Sequence, residues 1–144
     1  FGKRDAETMA TCYAPDVHFS DPVFPDLRGD RASGMWRMLA ARASDLRLEV
    51  SGFRADDRTG AAHWEAYYTF SAPGRKVHNV IEARFEFAGG LIERHVDTFD
   101  FWRWSRQALG PLGMLLGWSP IVRNKVRANA AKGLDLYLSR SPEA

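Results

Sequence analysis

The chain has 144 residues, of which 45% are hydrophobic and 26% charged, and its formal net charge is +2. These values are typical of one globular domain with a single core and exclude an intrinsically disordered chain. The small net charge, without a dense Lys/Arg run interleaved with aromatic residues, argues against a nucleic-acid-binding protein. The single Cys12 can form no internal disulfide, so we expect a reducing, cytoplasmic setting in which Cys12 is a small buried hydrophobe on a helix.

A short helix is predicted at the start of the chain. Asp5 is a suitable N-cap, and apolar residues at helical spacing continue to about Tyr13. The chain enters this helix almost directly at Phe1, so we expect the first helix to be truncated at its N-terminus. No charged-then-apolar signal segment is visible.

A second helix is predicted after an irregular segment. Residues 14–29 contain three prolines, which favour an irregular conformation. Asp30 then caps a helix from about Arg31 to Ala43, whose apolar residues recur every three or four positions. This apolar stripe should face the core.

Beyond Asp45 the pattern changes from helical spacing to strands separated by turn residues. Short loops rich in Gly, Pro and Asp join the segments, which predicts an antiparallel meander. In the third strand, Val77 to Phe87 alternate between an apolar face and a charged face, so one face should belong to the core. The four predicted strands are residues 46–53, 61–71, 76–87 and 91–102.

The C-terminal part is predicted to be largely helical. The apolar stretch at 108–118 is too short to span a bilayer, and we interpret it as a packed loop or lid. Ser119 and Pro120 suit the start of a last helix that continues to about Leu138. This helix is cationic with a narrow apolar stripe, which favours a solvated or subunit-facing helix over one that lies on a membrane.

The segment "YAPDVHFSDPVFPDLRG" between the helices and "HVDTFDF" on the last strand carry a family resemblance. From about Ala6 to Trp102 the chain resembles the SnoaL-like and ketosteroid isomerase-like branch of the nuclear transport factor 2-like superfamily. The resemblance implies an α+β fold in which a strongly curved antiparallel sheet wraps around N-terminal helices to form a cone with an apolar pocket. Residues 1–144 would form one such domain, with 103–144 as its helical C-terminal extension.

Asp21 is the first candidate catalytic residue. In ketosteroid isomerases, the Asp of the Asp-Pro dipeptide faces the cavity and moves a proton between carbons, and Asp21 falls on that position. A carboxylate surrounded by apolar side chains loses hydration, which raises its basicity toward the useful range. The alternative is that Asp21 only caps a turn by accepting hydrogen bonds from nearby backbone amides.

His95 and Asp97 form the second candidate pair, because side chains two residues apart on a strand share a face. An imidazole beside a carboxylate can be held in one tautomer and exchange a proton near neutral pH. The resemblance to SnoaL-like cyclases and limonene-type epoxide hydrolases places a cavity-facing Asp at Asp97. The alternatives are a structural His–Asp pair, or pairing of Asp97 with Arg94 or Arg54.

The remaining candidates form an apolar and aromatic pocket wall that would bind a hydrophobic small molecule, although an ordinary core would have a similar sequence. No histidine has the spacing of a metal site, and no cofactor is expected. The predicted substrate-binding residues are Phe19, Trp36, Trp64, Tyr68, Asn79, Ile81, Phe85 and Phe99.

Two functions follow from the candidate site residues, and a third, less favoured one, docking on a membrane, follows from the segment 115–118 and the cationic last helix. The first is a small-molecule pocket protein with isomerase-type or cyclase-type acid–base chemistry on an apolar cyclic compound, in which Asp21 is the base and His95 and Asp97 are its proton partner and orienter. The second is a non-catalytic ligand-binding or dimerisation module of the same fold. In either case we expect an apolar small-molecule ligand and a homodimer through the outer face of the sheet, without nucleic acid or membrane-surface contact.

Overall fold

The computed structural model describes residues 5–42, 44–70 and 74–140, and it confirms the predicted α+β class. A curved, unclosed sheet of six strands has the order β2-β1-β6-β5-β4-β3 and is accompanied by five helices. In chain order the elements are α1 (Ala6–Cys12), β1 (Tyr13–Ser20), β2 (Leu27–Arg28), α2 (Asp30–Arg42), β3 (Arg47–Ala55), β4 (Thr59–Phe70), β5 (Arg75–Ala88), β6 (Leu91–Thr98), α3 (Phe101–Leu109), α4 (Pro111–Leu116) and α5 (Pro120–Arg140).

The first helix begins as predicted, because the Asp5 side chain accepts a hydrogen bond from the Thr8 amide. The prediction of a truncated start concerns residues 1–4, which lie outside the described residues. The prediction that Cys12 is buried is wrong. Cys12 is the last residue of α1 and is exposed, and its thiol contacts the Thr8 carbonyl.

The segment that we predicted to be irregular contains a strand of the sheet. β1 runs parallel to β6 and antiparallel to the short β2. Its register against β6 shifts between Tyr13 and His18, and Pro15 lies within this irregularity, where a residue without an amide proton is tolerated. The strand carries Phe19 and delivers Asp21 directly after its last residue.

The meander of β3 to β6 confirms the predicted antiparallel order, but β6 ends at Thr98 rather than at Trp102. Asp100 stops the strand because its side chain caps α3 by accepting from the Arg103 amide. The helical C-terminal part therefore starts at 101, before the predicted position 103. Where β6 no longer pairs with β5, the Gln107 side chain bonds both the amide and the carbonyl of His78.

The apolar interior consists of two clusters of buried side chains. The larger one joins α1, α2 and β1 around Phe19 and Met35, and it includes Leu134 of α5. The smaller one joins β5 to α3 around Val77 and Trp104. Helix α5 contacts both clusters, and its Arg127 Nε donates to the carbonyl of Pro22, 2.8 Å away. The Asp21–Pro22 turn is thus packed beneath the last helix.

The stretch that we predicted as a packed loop or lid forms the short helix α4. Its glycines face α3: a Cβ atom on Gly113 would lie 1.9 Å from the Ser105 carbonyl oxygen, and one on Gly117 would lie 2.1 Å from Ser105 Oγ. The bulky side chains of α4 consequently point outward. Within 5–42, 44–70 and 74–140, no helix has both the length and the hydropathy that crossing a bilayer requires.

Candidate functional site

Asp21 closes a four-residue turn after β1. Its backbone amide donates to the Phe24 carbonyl at 2.9 Å, and its Oδ1 accepts from the amides of Val23 at 2.7 Å and Phe24 at 2.6 Å. Both bonds are made by Oδ1, so Oδ2 has no hydrogen-bond donor among the described residues. The turn-capping role is therefore present, and it leaves the second carboxylate oxygen available.

Asp21 is half-buried, in a turn that is held beneath α5 by the bond from Arg127 to the Pro22 carbonyl. Burial raises its pKa from an ordinary 3.8 to about 7, and the negative charge of Asp97 acts in the same direction. The two backbone hydrogen bonds lower the pKa, as does the positive charge of His95 when its ring is protonated, but they do not offset burial. Asp21 is thus a carboxyl group that can hold or release a proton near neutral pH.

His95 lies at the centre of a buried hydrogen-bonded chain. The Trp36 indole N–H donates to the Tyr13 hydroxyl at 2.7 Å, and that hydroxyl lies 2.7 Å from His95 Nδ1. On the other side of the ring, His95 Nε2 lies 2.7 Å from Asp97 Oδ1. His95 and Asp97 are only 2% and 5% exposed, so this chain is shielded from water.

The hydrogen bonds of this chain indicate the tautomer of His95. Because an ionised Asp97 can only accept, Nε2 carries the proton and donates to Oδ1. The Tyr13 hydroxyl accepts from Trp36 and donates its own proton to Nδ1. Both ring nitrogens of His95 are therefore engaged with protein groups. Burial raises the pKa of Tyr13, so this hydroxyl stays neutral.

Tyr68 forms another polar group close to Asp21. The Trp104 indole N–H donates to its hydroxyl at 2.8 Å. Burial raises the pKa of Tyr68 to about 12, and the charge of Asp21 adds to this shift. The hydroxyl is neutral at physiological pH, and its own proton remains available for donation.

One further polar group on the inner face lacks a hydrogen-bond partner among the described residues. The Trp64 indole N–H is buried and unpaired. Small side chains lie on the same face, since Ala66 is paired with the buried Asn79 and Ala83 with Asp97. Because buried polar groups are normally paired, the Trp64 N–H favours a bound polar atom in the interior.

The other predicted wall residues either belong to the core or are half-buried on the inner face of the sheet. Phe19 is fully buried and packs edge-on against Trp36 and His95, with ring centroids 5.4 and 5.0 Å away, so it supports the His95 chain. The Phe85 ring lies 4.5 Å from that of His95. Phe99 packs on the cluster around Trp104. Ile81 is half-buried opposite Trp64.

Sequence reasoning did not identify Tyr13 and Trp104 as part of this region. The sequence predicts Tyr13 at the end of a helix, yet it is the first residue of β1, and its hydroxyl bonds His95, 82 positions later. Trp104 lies beyond the predicted last strand. The alternative pairings of Asp97 with Arg94 or Arg54 do not occur, because Asp97 pairs with His95. Across the described ranges, no group of three His, Cys, Asp or Glu side chains could hold a metal ion.

A protein-family model described as a SnoaL-like domain matches residues 1–95. The chain belongs to the SnoaL-like domain family. This confirms the resemblance on which the predicted cone fold depends, since the matched region includes α1, α2 and most of the meander. No curated protein matches this SnoaL-like chain.

Solved structures support the same fold at low sequence identity. A protein assigned to the SnoaL-like polyketide cyclases, from Jannaschia sp. CCS1, has a TM-score of 0.64 at 12% identity, with 74% of this chain and 79% of that chain covered. A protein assigned as an isomerase, from Rhodopseudomonas palustris, has a TM-score of 0.63 at 17% identity, with 76% and 87% covered. An LEH-like epoxide hydrolase from M. tuberculosis has a TM-score of 0.58 at 19% identity, with 84% and 85% covered. These likenesses establish the NTF2-like fold.

Proposed function

We propose that this SnoaL-like protein catalyses proton transfer on an apolar cyclic compound, in the manner of an isomerase or cyclase, with Asp21 as the base. The observation that carries the proposal is a half-buried carboxyl group with one oxygen held by two backbone amides, the other oxygen free of protein donors among the described residues, and a pKa of about 7. Structural neighbours that are assigned as an isomerase and as a polyketide cyclase support this class of chemistry.

The proposed step is the removal of a proton from a carbon next to a carbonyl group. Asp21 Oδ2 takes the proton, and the electron pair of the C–H bond moves into the carbonyl to give an enolate. The protonated Asp21 then returns the proton to the far end of a carbon–carbon double bond conjugated with the enolate, so that this double bond shifts, the carbonyl re-forms and Asp21 is again ionised. A base whose pKa lies close to the working pH serves both directions of this transfer.

The enolate oxygen requires hydrogen-bond donors that do not have to reorganise. The available donors on the inner face are the Trp64 indole N–H and the Tyr68 hydroxyl. Neutral donors in a site shielded from water stabilise a developing negative charge strongly. Tyr68 is the better placed of these relative to the base, because its pKa responds to the charge of Asp21.

His95 acts as a positioning residue in this proposal rather than as a direct proton partner of the substrate. Both of its ring nitrogens bond protein groups, Tyr13 on one side and Asp97 on the other. Its role is to orient Asp97, whose negative charge raises the pKa of Asp21. The predicted assignment of His95 as proton partner is therefore replaced by an indirect one.

Deuterium exchange tests the proposal without knowledge of the natural substrate. A panel of apolar cyclic ketones in D₂O is incubated with the protein, and deuterium incorporation next to the carbonyl is followed by NMR. We expect exchange to rise with pH, with a midpoint near 7, and Asp21→Asn to lower its rate by about 10²- to 10⁴-fold. Asn can still accept the two backbone hydrogen bonds, so the turn is preserved.

The matched control is Asp56→Asn, which changes an exposed aspartate in a turn of the same type and should leave exchange unchanged. Exchange that survives in Asp21→Asn would contradict the assignment of the base. Ketone binding to both proteins without any exchange would instead support the second function, a non-catalytic ligand-binding module.

A further inference from the structure

The segment from α3 to α5 combines exposed apolar side chains with a one-sided charge. Residues 101–134 contain six Lys and Arg and no Asp or Glu, in a chain whose total net charge is only +2. Seven of the ten exposed large hydrophobic residues in the described ranges belong to this segment. We call these seven the apolar α4 surface: Trp102, Leu112, Met114, Leu115, Leu116, Trp118 and Ile121.

The apolar α4 surface is exposed because of how α4 packs. A short helix usually turns its bulky apolar side chains toward the core, but here the side turned toward α3 consists of Gly113 and Gly117. The contact is too close for a Cβ atom at either glycine. As a result Leu115 and Trp118 are each 69% exposed, and Ile121 is 79% exposed. A contiguous apolar surface of this kind marks an interaction site.

A basic cleft lies beside this surface. It has a volume of about 650 Å³, and Met114 is shared between the cleft and the apolar α4 surface. Its lining contains four cations and no carboxylate: Arg75, Lys76, Arg103 and Arg106. The Arg106 guanidinium stacks on the Trp102 ring, 4.1 Å from its centroid, while its Nε is buried without a hydrogen-bond partner in the described part of the chain. The cleft thus places four cationic side chains next to exposed apolar side chains.

We propose that the apolar α4 surface and the basic cleft dock the protein on the surface of a bilayer that contains anionic phospholipids. Leucine, methionine and isoleucine side chains would enter the acyl boundary, and the two tryptophans would lie at the level of the headgroups. The cations of the cleft and of α5 would face the lipid phosphates. No helix needs to cross the bilayer for this mode of binding.

Charge favours this occupant over a second copy of the chain. Two copies that met through this surface would bring two cationic segments together, whereas an anionic bilayer neutralises them. The sequence predicts a solvated or subunit-facing last helix, because Pro120, Gly133 and a narrow apolar stripe argue against a membrane-bound one. The outward α4 side chains supply an apolar surface that the last helix alone lacks.

Vesicle co-sedimentation tests the proposal with the full chain. We expect partition onto vesicles of phosphatidylcholine mixed with phosphatidylglycerol but not onto phosphatidylcholine alone. Partition should decline as salt is raised from about 0.1 M to about 1 M, because the Debye length falls from about 10 Å to about 3 Å. No partition onto the mixed vesicles at low salt, or equal partition onto both vesicle types, would overturn the proposal.

Paired variants separate the two components of the surface. Leu115→Ser with Trp118→Ser, and separately Lys76→Gln with Lys125→Gln, should each lower the partition coefficient by about tenfold or more.

The control for the apolar pair is Val50→Ser with Phe53→Ser, two equally exposed apolar residues on β3 that should have no effect. An equal loss in this control would overturn the proposal. So would a self-associated protein that becomes monomeric in Leu115→Ser/Trp118→Ser, since a second copy would then be the occupant. If the protein bound an acidic protein equally well whether anionic or only neutral vesicles were present, the proposal would also be overturned.

Discussion

Two turns of this protein share the same backbone hydrogen bonds, to which the Thr59 hydroxyl adds a bond at Asp56, but their carboxyl groups have opposite properties. In both, an Asp amide donates at 2.9 Å to the carbonyl three residues later, as Asp21 does to Phe24 and Asp56 to Thr59. In both, Asp Oδ1 accepts from the amides two and three residues later. The pKa of Asp21 is nevertheless raised to about 7, whereas that of Asp56 is lowered.

The difference comes from what surrounds the two turns. Hydrogen bonds from the backbone lower the pKa of Asp56, because that group remains in water and burial acts only weakly. At Asp21 the same bonds are outweighed by burial, to which the charge of Asp97 adds. Turn formation requires only an acceptor at this position, and an exposed aspartate supplies one. The partial burial of Asp21 therefore needs another explanation, which acid–base function provides.

The largest expected effect is on the pH dependence of stability in Asp21→Asn. Because the folded pKa of Asp21 is above its unfolded value, wild-type stability from this group is fully present below about pH 4 and is lost as the pH rises to about 7. Asp21→Asn lacks this loss, so its free energy of unfolding relative to wild type should increase by roughly 4 kcal/mol across that range. Chemical denaturation at a series of pH values measures it.

Asp56→Asn should change the pH dependence of stability in the opposite direction. Its folded pKa is lowered, so the wild type gains stability from Asp56 as the pH rises through the acid range, and the variant loses that gain. The two variants should therefore diverge in opposite directions from wild type with rising pH. Parallel curves would mean that the two turns have the same environment.

A smaller effect is expected from His95→Phe, which tests the part of the interior where polar groups are fully paired. The change leaves the Tyr13 hydroxyl and Asp97 without their shared partner, so we expect a loss of about 3 kcal/mol of stability. His63→Phe is the matched control, because His63 pairs with Glu82 on the exposed side of the sheet and should matter much less. Equal effects in the two variants would show that burial of the His95 chain contributes nothing.

The smallest effect concerns two tryptophans whose ring centroids are 6.2 Å apart. Trp36→Phe removes an indole N–H that donates to Tyr13, whereas Trp64→Phe removes one without a partner among the described residues. Trp36→Phe should therefore be the more destabilising by about 1 kcal/mol. Trp64→Phe should instead weaken the binding of cyclic ketones. The reverse order in thermal or chemical unfolding would contradict the assignment of an available donor at Trp64.

Alternation along the strands allowed much of this structure to be predicted from the sequence. In a strand with one buried face, apolar residues recur at every second position. The faces of β5 and the common orientation of His95 and Asp97 could therefore be predicted from the local sequence. β1 was missed because Pro15 and Pro22 obscure its pattern and because it pairs in parallel with a distant strand, in which Phe19 lies opposite His95. No local signal encodes such a pairing.

The properties of the candidate site were harder to predict from the sequence, because they arise from contacts between distant segments. Asp21 could be recognised as a candidate, but its burial depends on α5 above it and on Tyr68 and Trp104 beside it. The exposure of α4 was also unpredictable from composition. An apolar run is usually buried, and only the close glycine contacts with α3 reveal which side faces inward.

The most direct test of the account is the titration of the Asp21 side-chain carboxyl by carbon-detected NMR, assigned by comparison with Asp21→Asn. The account predicts a midpoint near pH 7 in the wild type and a lower one in Asp97→Asn, because removal of that charge lowers the pKa of Asp21. A wild-type midpoint near 4, unchanged in Asp97→Asn, would show an ordinary solvated turn residue and contradict the central claim.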